Sequence, residues 1–350
     1  MRIKMIVKKE NGSAFSVYGN DTYVFFDILK MPEYLFGLDY GLCRIPNEVG
    51  EATSGGVKYE GTFPVGGRIR LKTDSPEVIL RACMEEWEWK DCWEGRCDIY
   101  CYNNGEYTYS GAGCFLKTET EGSDNIGELR FHPWWEGMRE IEINLLPYHP
   151  IKELYVGFKE GSAVEKGTPY KYKDRVFFYG SSIVHGVGSS RPGLAYPSVI
   201  SKTLETDYVN LGFAGCARAE IPIMEHISKQ KMSVFVYDYD HNCDNENYLR
   251  ETHYRGYEIF RKAQPDTPVI MASKVDWHND RQSSERRRQI IIESYNKGIF
   301  NGDKNLYFVD GKAIYGEYFA DCTADGCHPN DAGYLCMAKA FGQIIRNLIK

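Results

Sequence analysis

The chain has 350 residues, of which 43% are hydrophobic and 26% charged, an ordinary globular composition with enough length for two domains. Its formal charge of −7 argues against the basic surface that nucleic acid or an anionic membrane requires, so we expect neither partner. Residues 1–13 lack the apolar core of a secretion signal. We therefore expect a cytoplasmic protein with reduced cysteines.

Eleven cysteines are present, but no two of them form the C-x-x-C pair that marks many zinc sites. We expect neither a metal nor a cofactor. A zinc site within Cys92, Cys97 and Cys101 is the alternative.

The first half of the chain has the pattern of short β-strands. Candidate strands lie at 68–73, 77–84, 97–102, 139–145 and 153–158, and several alternate between apolar and polar residues. Turn-forming Gly, Asn, Asp and Pro separate them, which predicts an antiparallel β-sandwich over residues 1–172. A strand-like stretch, "TYVFFDIL", has no assigned place in this topology, and the polar segment 162–174 is expected to be the linker.

From about residue 173 the pattern changes to continuous apolar runs. They lie at 175–180, 207–213, 234–240, 268–275 and 305–311, and helical segments at 247–263, 283–300 and 331–349 follow the later runs. This alternation predicts a doubly wound parallel sheet over residues 173–350, with ligands bound at the carboxyl ends of the strands. The basic triplet at 286–288 is expected to lie on a solvated helix face.

The first of these strands ends in "YGSSIVHGVG", residues 179–188. A phosphate-binding loop would need a lysine, and a dinucleotide fingerprint would need a different glycine spacing, so both interpretations are weak. A serine on a tight strand-to-helix turn is well placed as a nucleophile, which makes Ser181 and Ser182 the candidates.

One of the eight histidines stands in a spacing suited to a general base. In "ADGCHPNDAGY", His328 follows Asp325 by three residues, with turn-forming residues between them. Such a turn can hold the carboxylate against Nδ1 and leave Nε2 for the serine. Taken alone, this spacing is more often a capped turn with a surface histidine.

Other histidines and cysteines also follow the predicted strand ends. We expect His185, His241 and His278 to be residues on the rim of the crevice, because none has a nearby acid on the same turn. Cys216, Cys243 and Cys327 are expected to be small packing residues, since no sequence feature would lower a thiol pKa there.

Four segments in order, "YGSSIVHGVG", "VNLGFAGCA", "YDYDHN" and "DGCHPNDAGY", resemble the sequence blocks of the SGNH (GDSL-type) hydrolases. The resemblance covers residues 175–348 and implies a serine esterase or acyl-hydrolase on a flavodoxin-like sheet. It implies that Ser182 is the nucleophile, His328 the base and Asp325 the acid, with Ser181 in the place of the family's aspartate.

The same resemblance implies an oxyanion hole built from the N–H groups of Ser182 and Gly215 and the side-chain amide of Asn242. Two glycines in "VNLGFAG" let the backbone approach a ligand closely, and an amide is a neutral donor. The third block departs from the family, because Asp240 and His241 stand where glycine normally precedes the asparagine. The shape of that loop is therefore open.

The two-domain organisation resembles carbohydrate esterases of families 2 and 17, which remove acetyl groups from plant-polysaccharide sugars. By that resemblance the sandwich is a jelly-roll, carbohydrate-binding domain, and the substrate is an O-acetylated oligosaccharide, with manno- and xylo-oligosaccharides as leading candidates. An acyltransferase and a non-catalytic carbohydrate-binding protein are the alternatives.

Aromatic residues suggest where a sugar would bind. Five of the six tryptophans fall in "EEWEWKDCW" and "FHPWWEG", where they either face a sugar or fill the sandwich core. Trp277, after the fourth parallel strand, and His241 are the predicted substrate contacts in the second half.

Overall fold

A computed structural model describes residues 4–84, 96–117, 126–133 and 136–349. The chain divides into two compact units that exchange segments. The sandwich unit comprises Met1–Arg44, Thr62–Pro169 and Arg191–Gly193, and the α/β unit comprises Ile45–Gly61, Tyr170–Ser190 and Leu194–Lys350.

The predicted boundary lies after residue 172, whereas the units divide between 169 and 170 and also exchange two short segments. Ile45 and Val57 lie in an apolar cluster of the α/β unit, which explains the first exchange. Arg191 places Nη1 3.2 Å from Oδ2 of Asp98 in the sandwich unit, which explains the second.

The described part of the sandwich unit forms two antiparallel sheets. Its strands are β1 (Lys4–Ile6), β2 (Ala14–Tyr18), β3 (Asp21–Asp27), β4 (Leu35–Phe36), β5 (Arg68–Thr73), β6 (Val78–Met84), β7 (Arg96–Asn103), β8 (Glu106–Cys114), β9 (Leu116–Lys117), β10 (Ile126–Phe131), β11 (Arg139–Asn144), β12 (Ile151–Lys159) and β13 (Ala163–Lys166). One sheet has the order β1-β13-β5-β11-β7-β8 with β4 beside β5, and the other has the order β2-β3-β12-β6-β10-β9. Short 3-10 helices span Lys9–Asn11, Ile28–Lys30 and Pro32–Tyr34.

The structure corrects the predicted linker of this half and gives a position to the one strand-like stretch that had none. The segment expected to be the linker begins with strand β13, because Ala163 and Val164 are buried while β13 pairs with β1 and β5. The stretch "TYVFFDIL" finds its place as β3, which pairs with β2 and β12.

The core of the sandwich lies between the two sheets. Ile69 and Leu71 of β5 and Ile141 of β11 meet Leu80 of β6 and Val156 of β12 in one buried apolar cluster. Side chains of a strand alternate between faces, so every second residue of these strands reaches this core.

The opposite face of the β5–β11 pair carries buried charges. Arg70 lies opposite Glu142 in the strand register, and its Nε is 3.2 Å from Glu142 Oε2. Lys72 lies opposite Glu140, with Nζ 3.2 Å from Oε2. Both carboxylates and the guanidinium are buried, so each charge has its counter-charge on the neighbouring strand.

Several aromatic and cysteine residues of the first half fall outside the described residues, namely Trp87, Trp89, Cys92, Trp93, Trp134 and Trp135. Cys97 and Cys101, which the zinc alternative would use, are buried in the sandwich core. Within the described ranges, no cysteine takes part in a disulfide.

The α/β unit is built on one parallel sheet. Its strands are β14 (Val176–Gly180), β15 (Tyr208–Gly212), β16 (Val234–Asp238), β17 (Val269–Ala272) and β18 (Leu306–Val309). Its helices are α1 (Asn47–Thr53), α2 (Gly55–Glu60), α3 (Ser182–His185), α4 (Tyr196–Leu204), α5 (Ile221–Ser228), α6 (Glu246–Ala263), α7 (Arg281–Phe300), α8 (Gly311–Ile314) and α9 (Asp331–Ile345). Short 3-10 helices span Pro192–Leu194, Asp240–Asn242 and Gly316–Asp321.

The strand order β15-β14-β16-β17-β18 is that of a flavodoxin-like sheet. Alternate side chains of each strand enter two cores: Phe177 packs with residues of α5, α6 and α7, whereas Phe178 packs with residues of α3, α4 and α9. Helices therefore cover both faces, which confirms the predicted doubly wound parallel sheet and the antiparallel β-rich half before it. None of the described helices combines the length and the apolar character needed to cross a bilayer.

We predict that Arg70→Met lowers the free energy of unfolding by about 3 kcal/mol, because the Glu142 carboxylate stays buried without its guanidinium. Urea unfolding followed by circular dichroism measures the change. The matched control is Lys8→Met, which removes an exposed pair with Glu10 and should cost less than about 1 kcal/mol. Equal losses in the two variants would contradict the prediction.

Candidate active site

Strand β14 ends at Gly180, and the chain turns at once into the four-residue helix α3. Ser181 is the N-cap of that helix: its Oγ accepts a hydrogen bond from the Ile183 N–H at 3.2 Å, and the residue is fully buried. Ser182 is the first helical residue and is partly exposed. The two adjacent serines therefore differ in place, one shaping the turn and the other reaching the crevice.

Close approach of the neighbouring strand ends requires glycine beside this turn. Gly180 lies opposite Gly212 of β15 and Asp238 of β16 in the parallel register. A Cβ built on Gly212 would lie 2.1 Å from the backbone nitrogen of His185, which real atoms do not tolerate. Glycine at this point lets helix α3 pack directly on the end of β15.

The loop before α9 brings a histidine to Ser182. Ser182 Oγ lies 3.0 Å from Nε2 of His328, and Nδ1 of the same ring lies 2.7 Å from Asp325 Oδ2. The other carboxylate oxygen, Oδ1, accepts the backbone N–H groups of Cys327 and His328 at 2.9 and 2.8 Å. The structure thus places the predicted serine, histidine and acid in one hydrogen-bonded chain.

The hydrogen bonds around Asp325 also keep it ionised. Partial burial raises its pKa, but the His328 ring and the two backbone N–H groups more than offset this and lower the pKa to about 2. An ionised carboxylate at Nδ1 holds the proton there, so Nε2 is the ring nitrogen that accepts from the serine.

The predicted oxyanion donors come from the ends of three adjacent strands. Gly215 has φ +70°, a left-handed conformation that favours glycine, and a Cβ there would meet open space. Neither the Ser182 nor the Gly215 N–H has an acceptor within the part of the chain that the structure describes. Asn242 follows β16, and its Nδ2 donates to the Phe213 carbonyl at 2.8 Å, which ties the second loop to the third.

The loop left open by the sequence, Asp240–Asn242, is a 3-10 turn held by buried charges. Asp240 Oδ1 lies 2.7 Å from Arg287 Nε, and the Arg287 guanidinium also donates to the carbonyl of Cys243 at 3.1 Å. Arg287 is only 7% exposed. The prediction that the basic triplet at 286–288 lies on a solvated helix face is therefore wrong for this residue.

His241, in the same turn, is mostly buried and contacts the next strand's loop. Its Nε2 is 2.8 Å from Asp276 Oδ1, and Lys274 Nζ is 3.4 Å from the other oxygen of that carboxylate. Burial raises the pKa of Asp276, but the His241 ring and Lys274 ammonium oppose this and hold the pKa well below its usual range. A rim position for His241 is therefore wrong, and little of the ring is open to a substrate.

A metal ion would find three potential ligands here, since atoms of His241, Asp276 and Cys327 lie within 4.8 Å of one another. The Asp276 carboxylate, however, already has a hydrogen bond from the His241 ring and an ion pair with Lys274. Its charge is compensated by protein groups alone, and we assign no metal.

The remaining predicted contacts are placed as follows. Trp277 is half-buried, donates Nε1–H to Glu285 Oε2 at 3.2 Å, and has Lys312 Nζ 4.2 Å from its ring centroid. His278 stacks on Phe319 with 3.8 Å between ring centroids and stays partly exposed. His185 is fully buried and lies against Glu60, so a rim position is wrong for it.

The three cysteines beside the site have the properties of packing residues. Burial raises the pKa of Cys216, that of Cys243 to about 12 and that of Cys327 to about 11. Thiols at these positions are protonated near neutral pH and are poor nucleophiles.

We therefore expect iodoacetamide to modify Cys327 at a rate that rises about ten-fold per pH unit between pH 8 and 10. Peptide mapping by mass spectrometry gives the rate at this residue, with free cysteine as the control, whose rate levels off near its pKa of about 8.5. A modification rate of Cys327 that is already constant above pH 8 would indicate that the thiol is ionised there. Cys327 would then be a candidate nucleophile.

Residues 173–346 match the model of the GDSL-like lipase/acylhydrolase family. A search of curated protein sequences finds no significant relative.

The solved structures that share the fold include the following three. A GDSL-like lipase candidate from Bacteroides ovatus ATCC 8483 has a TM-score of 0.81 and 23% identity, over 94% of this chain and 99% of its own. A salicylyl-acyltransferase from a tetracycline biosynthetic pathway has a TM-score of 0.69 and 18% identity, over 99% and 97%. A family two carbohydrate esterase from Clostridium thermocellum, solved with cellohexaose, has a TM-score of 0.53 and 13% identity, over 81% and 95%.

The likeness to these structures extends into the β-rich first half, as their coverage requires. The family match includes the Ser182 turn, the Asn242 loop and the His328 loop, all of which lie in the α/β unit. Residues 173–346 therefore form a domain of the GDSL-like lipase/acylhydrolase family, and the protein is an ester-hydrolysing enzyme.

Proposed function

We propose that the protein is a serine esterase that removes O-acetyl groups from oligosaccharides through an acyl-serine intermediate. The observation that carries this proposal is the chain from Ser182 Oγ to His328 Nε2, 3.0 Å, and from His328 Nδ1 to Asp325 Oδ2, 2.7 Å. A hydroxyl, a base and an orienting acid in that order are what acyl transfer to serine requires.

In the first half of the reaction, Ser182 Oγ attacks the acetyl carbonyl carbon while His328 Nε2 takes the hydroxyl proton. Asp325 stabilises the imidazolium that forms, since its low pKa keeps the carboxylate charged. The tetrahedral intermediate then collapses: the C–O bond to the sugar breaks, and His328 returns the proton to the leaving sugar oxygen. The products of this half are a free sugar hydroxyl and acetyl-Ser182.

The negative charge of the tetrahedral intermediate falls on the former carbonyl oxygen. We assign its stabilisation to the Ser182 and Gly215 N–H groups and to the Asn242 amide, which lie on the loops after β14, β15 and β16. Donors that face no protein acceptor are ready for this charge without rearrangement. The Asn242 hydrogen bond to Phe213 fixes the amide, and its second N–H is left for the intermediate.

Water completes the cycle by the same steps. His328 takes a proton from water as the water oxygen attacks the acetyl carbon, and the collapse of the second intermediate returns that proton to Ser182 Oγ. Acetate leaves and the free enzyme is restored.

The choice of an acetylated sugar rests on the two-unit organisation. The carbohydrate esterase solved with cellohexaose combines a similar fold with sugar binding. We propose that the sandwich unit binds carbohydrate and that the half-buried indole of Trp277 contributes an aromatic surface. Acetylated manno- and xylo-oligosaccharides are the first candidates.

Acyl transfer to a hydroxyl other than water is the second candidate. It is favoured by the likeness to the salicylyl-acyltransferase, which covers 99% of this chain at a higher TM-score than the carbohydrate esterase. Both reactions use the same acyl-serine and differ only in the acceptor that reaches it.

We expect Ser182→Ala to abolish hydrolysis of p-nitrophenyl acetate, because no other hydroxyl lies against His328 Nε2 among the described residues. Ser181→Ala is the matched control: it removes only the cap of α3, so most of the activity should remain, with about 1 kcal/mol lost in stability. Rates are compared at equal concentrations of folded enzyme. The opposite result would assign the nucleophile to Ser181.

Release of acetate from a panel of acetylated manno- and xylo-oligosaccharides tests the substrate, with the positions of the remaining acetyl groups read by NMR. We expect acetate to be the main product even when an unacetylated oligosaccharide is added as acceptor. Transfer of acetyl to the acceptor in preference to water would establish the acyltransferase. Activity on p-nitrophenyl acetate with none on any sugar ester would overturn the carbohydrate substrate alone.

A further inference from the structure

Helix α2 brings an acidic residue to the loop that carries Gly215. We propose that Glu60 is a positioning residue that fixes the oxyanion loop of this enzyme, although it lies in the first half of the chain. This inference rests on the proposed function, since it assigns Gly215 a role in stabilising the oxyanion.

The first contact is to the residue before the proposed donor. Glu60 Oε2 accepts the backbone N–H of Ala214 at 3.2 Å. Phe213, next to it, donates its N–H to the Gly180 carbonyl and accepts from Cys216 and Ala217, so the ends of the turn are also held. The Glu60 carboxylate therefore fixes the turn one residue before Gly215, the proposed oxyanion donor.

The second contact joins the same carboxylate to the nucleophile helix. His185 Nδ1 lies 3.3 Å from Glu60 Oε2 and 3.3 Å from the Gly212 carbonyl oxygen. Both neighbours are acceptors, so Nδ1 carries the proton and donates. His185 lies three residues after Ser182 in α3. The Glu60 carboxylate therefore contacts both the helix that carries Ser182 and the turn that carries Gly215, the two proposed backbone donors.

Packing fixes helix α2 against this loop. A Cβ built on Gly56 would lie 2.3 Å from Cys216 Sγ, so the helix backbone touches the residue that follows Gly215. Val57 is fully buried in the apolar cluster of the α/β unit. Glu60 stands at the end of this helix with its side chain only 14% exposed, and its position is therefore determined by the fold.

A carboxylate near an oxyanion site has two opposed effects. Its hydrogen bond from the Ala214 N–H and its contact with the His185 ring orient the loop, whereas its charge would repel a developing oxyanion. The two donors partly neutralise that charge, and hydrogen bonds to a charged acceptor are about twice as strong as neutral ones. We therefore expect orientation to be the larger effect.

Three variants separate these effects, with p-nitrophenyl acetate as substrate and melting temperature measured for each. Glu60→Ala is expected to lower kcat about ten-fold with little change in KM, as loss of a charge-assisted hydrogen bond implies. Glu60→Gln keeps an acceptor for Ala214 and should hold kcat within about three-fold of the wild type. Glu51→Ala is the matched control, because it removes an exposed carboxylate of α1 paired with Lys58 and should leave kcat unchanged.

A boronic acid inhibitor, which forms a tetrahedral adduct with the serine, gives an independent reading. Its inhibition constant should rise in the Glu60→Ala variant in parallel with the loss of kcat/KM, a change that simple destabilisation would not produce. If Glu60→Ala does not fold, Glu60→Asp replaces it: the carboxylate is then one methylene too short to reach Ala214, and kcat should again fall.

An unchanged kcat in folded Glu60→Ala or Glu60→Asp overturns the positioning role. So does a Glu60→Gln variant that loses as much kcat as Glu60→Ala, or a loss seen in KM alone. Failure of the proposed function is distinct, because the wild type would then show no turnover that depends on Ser182.

Discussion

The site depends on one steric constraint, the close approach of three parallel strands at their carboxyl ends. A Cβ on Gly180 would lie 1.9 Å from the carbonyl oxygen of Asp238 on the neighbouring strand. Without a side chain at this point, β14 runs between its neighbours to its last residue and then turns into α3. The serine, the glycine turn and the asparagine loop start from three adjacent strand ends, and each needs only a few residues to reach the others.

Around this constraint the loops are held mainly by ionised or charge-assisted contacts. Asp240 pairs with Arg287, Asp276 with His241 and Lys274, and Asp325 with His328. In the third loop the contact of Asp240 with Arg287 holds a 3-10 turn, Asp240–Asn242, that ends at Asn242. A buried ion pair adds little to stability compared with apolar packing, but it permits one arrangement of its partners, which is what preorganised donors need.

Local patterns were enough to predict much of the fold. The strand predicted at 68–73 matches β5, and the helix predicted at 283–300 lies within α7, because alternation and amphipathic spacing depend on neighbouring residues. The Asp325–His328 turn could be predicted for the same reason, since three residues separate the partners. The contacts of Glu60 could not be predicted, because Glu60 and Ala214 are 154 positions apart in the chain and local residue spacing gives no signal of such a pair. Helices α1 and α2 were missed because their sequence, "NEVGEATSGGVKYE", is rich in glycine and is stabilised by the burial of residues such as Val57.

The exchange of residues 45–61 has a consequence for how the protein is made. This segment leaves the ribosome before most of the sandwich strands, yet the sheet that it packs on begins at Val176. Helices as short as α1 and α2 are not stable alone in water, so the segment stays unfolded until at least β15 has been synthesised. Meanwhile the strands on either side of it can pair, which closes it into a loop and limits the volume it must search. Completing the second unit therefore joins residues 45–61 to a sheet that is synthesised only after the sandwich strands.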